Sequence, residues 1–146
     1  KSLVFQNDIN KHLRLMKANI IIEQTKDGYF SCFVEEELPY VGLLGYGDSS
    51  QEAIDDLIST YTQLKEDLKA EGKDLPDLEF VVHYDMPSFF NRFNFLNQSK
   101  IAEKAGINPS LMRKYTSGVV RAGQKQYDKL HTAVQALAKD MLAAAF

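Results

Sequence analysis

Residues 98–115 read Gln98-Ser99-Lys100-Ile101-Ala102-Glu103-Lys104-Ala105-Gly106-Ile107-Asn108-Pro109-Ser110-Leu111-Met112-Arg113-Lys114-Tyr115. These residue types, in this order, predict a helix, a three-residue turn and a second helix, the arrangement that lays a helix into the DNA major groove. Ile101, Ala102, Ala105, Ile107, Met112 and Tyr115 are the positions that hold two crossed helices together, and the small alanines permit close approach. Gly106 suits a left-handed backbone between the helices. Asn108 can cap the second helix, with Pro109 at its first position, where a missing N–H is harmless. With that inner face assigned, Pro109, Ser110, Arg113 and Lys114 point outward, where side chains reach base edges or phosphates. Gln98, at the start of the preceding helix, can bond a phosphate. The candidate DNA-binding set is Gln98, Asn108, Pro109, Ser110, Arg113 and Lys114. The alternative is a helical hairpin without a nucleic-acid role.

Other chemistry finds less support. A metal-dependent nuclease clusters carboxylates around paired metal ions. Asp27, Asp48 and Asp85 are the candidates, but a turn accounts for Asp27, and a turn and helix start for Asp48. His12, His83 and His131 match no ligand spacing. Gly45-Tyr46-Gly47 lacks the flanking pattern of a nucleotide loop, and no serine has an identifiable histidine partner for a nucleophilic triad. Phe89, Phe90, Phe93 and Phe95 are read as helix packing rather than as a base-stacking platform. The single cysteine, Cys32, excludes an internal disulfide and reads as a buried structural thiol. The expectation is a protein that is not an enzyme, with no metal and no cofactor.

The net charge of −3 conceals a division. Residues 1–87 carry 8 Lys+Arg against 17 Asp+Glu, a net −9, whereas residues 88–146 carry 9 against 3, a net +6. Such asymmetry suggests two modules whose partners have opposite charge. The 146 residues suffice for one ordinary domain or two small modules. No run approaches the roughly 20 apolar residues that span a bilayer, and no secretory signal is visible. A cytoplasmic location and no membrane partner are expected. The chain starts at Lys1 rather than Met, as a trimmed or partial chain would, and residues 1–15 carry no clear pattern.

The elements that must position these residues follow from periodicity. Residues 17–24 are isoleucine-rich and read as a strand; Asp27-Gly28 supplies a tight turn. Residues 29–35 alternate, with Phe30, Cys32 and Val34 on one face and Tyr29, Ser31 and Phe33 on the other. Residues 41–47 form a third strand interrupted by glycines. Ser49 and Glu52 have the spacing of a capping box. Ile54, Leu57, Ile58, Tyr61, Leu64 and Leu68 then recur along one helical face. Gly72 and Pro76 end the helix, and residues 78–84 form a fourth strand. A short helix over residues 88–94 precedes the helix pair, and a long helix runs from about Gln124 to Leu142. Tyr127, Leu130, Val134, Leu137 and Met141 form its stripe. The fold class is α+β: a small β-β-β-α-β sheet module over residues 16–85, then an all-α helix–turn–helix module over 88–146, with residues 1–15 unassigned.

Residues 98–118 resemble the Cro/λ-repressor-type helix–turn–helix family. The strand–strand–strand–helix–strand order, the Gly47-Asp48-Ser49 turn and Gln51-Glu52-Ala53 opening the helix resemble the HicB antitoxins of bacterial HicA–HicB toxin–antitoxin pairs. That resemblance runs from residue 16 to about 143. It implies a partial ribonuclease H-like domain joined to a DNA-binding domain. It departs from the family at Glu35-Glu36-Glu37-Leu38-Pro39-Tyr40, where HicB proteins often carry a Pro-Asp-Leu-Pro-Gly-Cys-like stretch.

The function implied is an antitoxin of a type II pair. Its acidic module would cover a small basic HicA-like toxin that cleaves messenger RNA, and its basic module would bind operator double-stranded DNA and repress its own operon. Opposite charges favour such a cover. Glu35, Glu36, Glu37, Asp48, Asp55 and Asp56 are the candidate toxin-binding acids. A helix–turn–helix reads a half-site, so a homodimer through the C-terminal module is expected. The stripe on the last helix can supply that contact, close the module's own core, or do both. The alternative function is a ligand-sensing transcriptional regulator without a toxin partner.

Overall fold

The computed structural model describes residues 15–146; His12 and the unassigned segment before Leu15 lie outside the described residues. The chain divides into two compact units, one ending at Tyr84 and the other spanning Asp85–Phe146. The described residues form a mixed α+β structure with one four-stranded sheet and five helices.

The first unit contains β1 (Leu15–Gln24), β2 (Phe30–Val34), β3 (Leu44–Gly47), α1 (Ser50–Ala70) and β4 (Asp77–Tyr84). The sheet order is β3-β2-β1-β4. β1 to β3 pair antiparallel in sequence, whereas β4 lies parallel to β1. A parallel strand cannot be reached by a tight turn, and the stretch containing α1 supplies the crossover. Alternation decides which side is buried. Ile20 and Ile22 of β1 and Phe30 and Cys32 of β2 pack with Ala53, Ile54, Leu57 and Tyr61 of α1, and Ala18 of β1 is buried as well. Tyr61 also anchors β4: its hydroxyl donates to Pro76 O at 2.8 Å and accepts from Leu78 N at 3.2 Å.

β3 has two glycines because α1 lies almost on its backbone. A Cβ at Gly45 would stand 2.2 Å from the carbonyl oxygen of Ala53 and 2.8 Å from Leu57 Cβ. The helix begins where its cap dictates: Ser49 Oγ accepts from Glu52 N at 3.1 Å, and Glu52 reaches back to Asp48 N at 2.9 Å. Two side chains thereby satisfy donors at the helix entry.

Several expectations change in detail. The β1–β2 turn is not centred on Asp27-Gly28. Gly28 N donates to Thr25 O at 3.0 Å and Thr25 N to Tyr29 O at 2.8 Å, so Lys26-Asp27 form the bend and Gly28, at φ 85°, follows it. This is the three-residue hairpin loop with its left-handed third residue. The third strand is shorter than expected: residues 41–43, which follow a bend at Pro39-Tyr40, are not part of it, although Leu43 O still accepts from Val34 N at 3.2 Å. Ile58 is 36% exposed and lies outside the core face of α1.

The second unit contains α2 (Met86–Arg92), α3 (Gln98–Ala105), α4 (Pro109–Thr116) and α5 (Gln124–Ala143). α2 starts two residues earlier than the sequence suggests because Asp85 caps it, accepting from Ser88 N at 2.8 Å. Met86, Phe90, Ile101, Ala102, Ile107, Met112, Tyr115 and Leu130 form the core. On α5, Tyr127, Val134 and Leu137 pack against that core, while Met141 is 61% exposed. Most of the stripe therefore closes the unit's own core. Phe89 and Phe90 pack as expected, but Phe95 is 73% exposed and touches Phe93 edge-on, outside that core. No helix among the described residues is long and apolar enough to cross a membrane.

Candidate functional site

Two surfaces carry the candidate residues, one in each unit. In the second unit, α3 ends on Gly106 in the left-handed region, φ 70°, and the chain turns through Ile107 and Asn108 into α4. Ile107, Met112 and Tyr115 are buried at 3%, 0% and 7% exposure. Ser110, Arg113 and Lys114 are exposed, and Pro109 is half-buried. The inner residues lock the pair so that α4 presents one polar, basic face. On that face Arg113 Nη2 donates to Ser110 Oγ at 3.0 Å, which orients the guanidinium along the helix surface. A guanidinium held in that way retains donors for a phosphate or a guanine edge.

Two members of the sequence-derived set are engaged inside the unit. The Asn108 carboxamide oxygen accepts from Ser110 N at 2.9 Å and Leu111 N at 3.4 Å, which makes it the N-cap of α4. The Gln98 amide, placed by the sequence at a phosphate, donates to Thr116 Oγ1 at 2.8 Å and ties the start of α3 to the end of α4. Thr116 carried no signal in the sequence, because its partner lies 18 positions away.

The six acids proposed for a protein partner do not form one cluster. Glu35, Glu36 and Glu37 follow β2, at the end of the β2–β3 ladder where Phe33 pairs Leu44. Asp48 follows β3 at the opposite end, where Phe30 pairs Gly47. Asp55 and Asp56 lie on α1: Asp55 accepts from Gln51 at 2.7 Å, and Asp56 accepts the main-chain N–H of Tyr46 at 3.0 Å. Glu36 is bound to β1, with its carboxylate accepting from Asn19 N at 2.7 Å and from the Asn19 carboxamide. Those bonds, the main-chain one foremost, hold the Glu36 carboxyl below its ordinary range. Asn19 Oδ1 lies 2.8 Å from His83 Nε2, so Glu36, Asn19 and His83 form a chain across the β1 and β4 side of the sheet.

The three aspartates weighed for metal chemistry occupy separate structural positions. Asp27 is in the hairpin bend, Asp48 N bonds Glu52, and Asp85 caps α2. Among the described residues, no group of three or more His, Cys, Asp or Glu side chains is placed to hold a metal ion. Cys32 is buried against α1, its Sγ donating to Ala53 O at 3.2 Å. Burial, and then the Asp56 charge, push its thiol up to about 11.

Sequence reasoning missed an apolar patch on the sheet face away from α1. Phe33, Leu44 and Tyr46 stand there at 42%, 55% and 62% exposure. Alternation had already separated Phe33 from Phe30 and Cys32; only the register shows which residues neighbour it. Comparison of the chain with protein-family models, curated proteins and solved structures gives no match.

Proposed function

We propose that this chain is a HicB-like antitoxin and autorepressor: a non-enzymatic protein whose acidic sheet unit covers a small basic messenger-RNA-cleaving toxin and whose helical unit binds operator DNA. The observation that carries the reading is the α3–α4 pair. Its left-handed glycine, asparagine cap, buried Ile107, Met112 and Tyr115, and outward Ser110, Arg113 and Lys114 support a helix–turn–helix in which α4 enters the major groove. The unit carrying it is the basic part of the chain, as phosphate binding needs. The sheet unit is acidic and exposes apolar side chains, which suits a basic protein better than a nucleic acid. Its open four-stranded sheet with one crossover helix supports the partial ribonuclease H-like reading. A homodimer would present two α4 helices to two half-sites. Exposed Met141 and Leu142 near the end of α5 provide apolar surface for that contact.

The test is binding to duplex DNA from upstream of the chain's own coding sequence, set against a scrambled duplex. Specific binding is expected. Arg113→Ala should cost about 1–3 kcal/mol on the specific duplex if Arg113 reads a base. If it contacts phosphate alone, the loss is equal on both duplexes and the salt dependence becomes shallower. Equal wild-type affinity for the two duplexes, or none for either, contradicts the repressor reading.

A further inference from the structure

We propose that the sheet face opposite α1, centred on Phe33, Leu44 and Tyr46, is the surface that receives the small basic protein partner, rather than the acids of α1. The proposal rests on the antitoxin reading and assigns its docking face. The register builds the patch. Leu44 pairs Phe33, Phe33 pairs Ile21 and Ile21 pairs His83, so these four residues form one row across all four strands. Tyr46, Ser31 and Glu23 form the next row by the same pairing. Side chains alternate between the two faces of a strand. The row therefore stands on the side away from Ile20, Ile22, Phe30 and Cys32, which α1 covers. An aromatic and aliphatic cluster exposed to 42–62% on three adjacent residues is the composition of an interface centre.

Charge identifies the occupant. Glu23 and Glu79 project from the same face as the patch, and Lys17 is the one formal cation among the strand residues on it. Glu36 is fixed beside it through Asn19, which His83 bonds in turn. This carboxylate is already ordered before a partner arrives, which lowers the cost of pairing it with a cation. The fringe repels nucleic-acid phosphates. A second copy of the chain would bring the same acids against their own kind. A basic protein satisfies both the apolar centre and the acidic fringe. The acids of α1 sit on the helix that covers the other face of the sheet, away from the patch.

The probe is the product of the reading frame adjacent to this chain's own, which the antitoxin reading predicts to be a small basic protein, with affinity measured by titration calorimetry against the full chain. Phe33→Ser, Leu44→Ser and Tyr46→Ser, singly and combined, should each weaken binding by about 30-fold or more if they are central anchors. Asp55→Asn should change it by less than about 3-fold, as an exposed acid outside the contact. All four positions are exposed, and an unchanged thermal transition shows that each variant folds; Tyr46→Ser, the most exposed, stands if the combined variant does not. Wild-type binding that the three serine variants leave intact overturns the face assignment while the antitoxin reading survives. Variants that alter only self-association of the chain assign the face to a second copy and also overturn it. No binding by the wild-type chain overturns the antitoxin reading, and this proposal with it.

Discussion

The main-chain N–H of Tyr46 donates to the Asp56 carboxylate at 3.0 Å, so a helix side chain occupies an edge position of β3. β3 ends the sheet on one side, and an edge strand exposes main-chain groups that can pair with another chain. Asp56 covers one of these donors, and Glu52 binds Asp48 N just past the end of the strand. Asp56→Ala should speed hydrogen exchange at the Tyr46 amide and raise the tendency to aggregate. Asp56→Asn keeps an acceptor oxygen and should exchange more slowly than the alanine variant. Equal exchange in wild type and both variants would remove Asp56 from this role.

Gly45 marks where α1 comes closest to β3. A methyl group there meets Ala53 O and the backbone and Cβ of Leu57, none of which is a flexible chain end. Gly45→Ala should destabilise the fold by about 1–3 kcal/mol or more, the usual cost of overpacking. Gly42→Ala, with nothing within 4 Å of the new Cβ, is the matched control. Urea unfolding of the two variants measures the difference; equal midpoints would contradict the close approach.

The glycines, caps and alternation were legible in the sequence because each is a local rule. Ser49 and Asn108 cap where their spacing indicates, and Phe30 and Cys32 are buried where alternation places them. Relationships set by register were not legible. Ile21, Phe33, Leu44 and His83 come from four strands, and no spacing in the chain marks them as one row. The same limit affected the acids. Their shared sign suggested one surface, but the antiparallel pairing sends Glu35 and Asp48 to opposite ends of β2 and β3. The tie from Gln98 to Thr116 was not legible for a similar reason, since Thr116 lies on the next helix.

Asn108 should act on stability through the cap. Asn108→Ala removes the acceptor for Ser110 N and Leu111 N and should cost about 1 kcal/mol in thermal or urea unfolding. Asn108→Ser or Asn108→Asp should recover most of it, since both can accept the same bonds. Full stability in the alanine variant would contradict the cap.

Cys32 gives a pH dependence of defined sign. Its thiol keeps its proton in the folded chain up to about 11, because burial and the nearby Asp56 charge oppose the thiolate. An unfolded thiol ionises near about 8.5. The folded state thus holds the proton at pH values where the unfolded state has lost it, and stability falls as pH rises between those limits. The contribution is complete below the ordinary thiol range and is lost as pH rises through about 11. Urea unfolding across this window should show a decline of up to about 1.4 kcal/mol per pH unit that Cys32→Ala lacks. Parallel curves for the two proteins would contradict the buried thiol.

The most direct test of the antitoxin reading is cell-free translation with the product of the adjacent reading frame added, which that reading predicts to be small and basic. That product alone should stop synthesis and degrade the messenger RNA. Prior addition of an equimolar amount of this chain should preserve the messenger and restore synthesis. A neighbouring product that leaves the messenger intact, or one whose cleavage continues undiminished in the presence of this chain, contradicts the account.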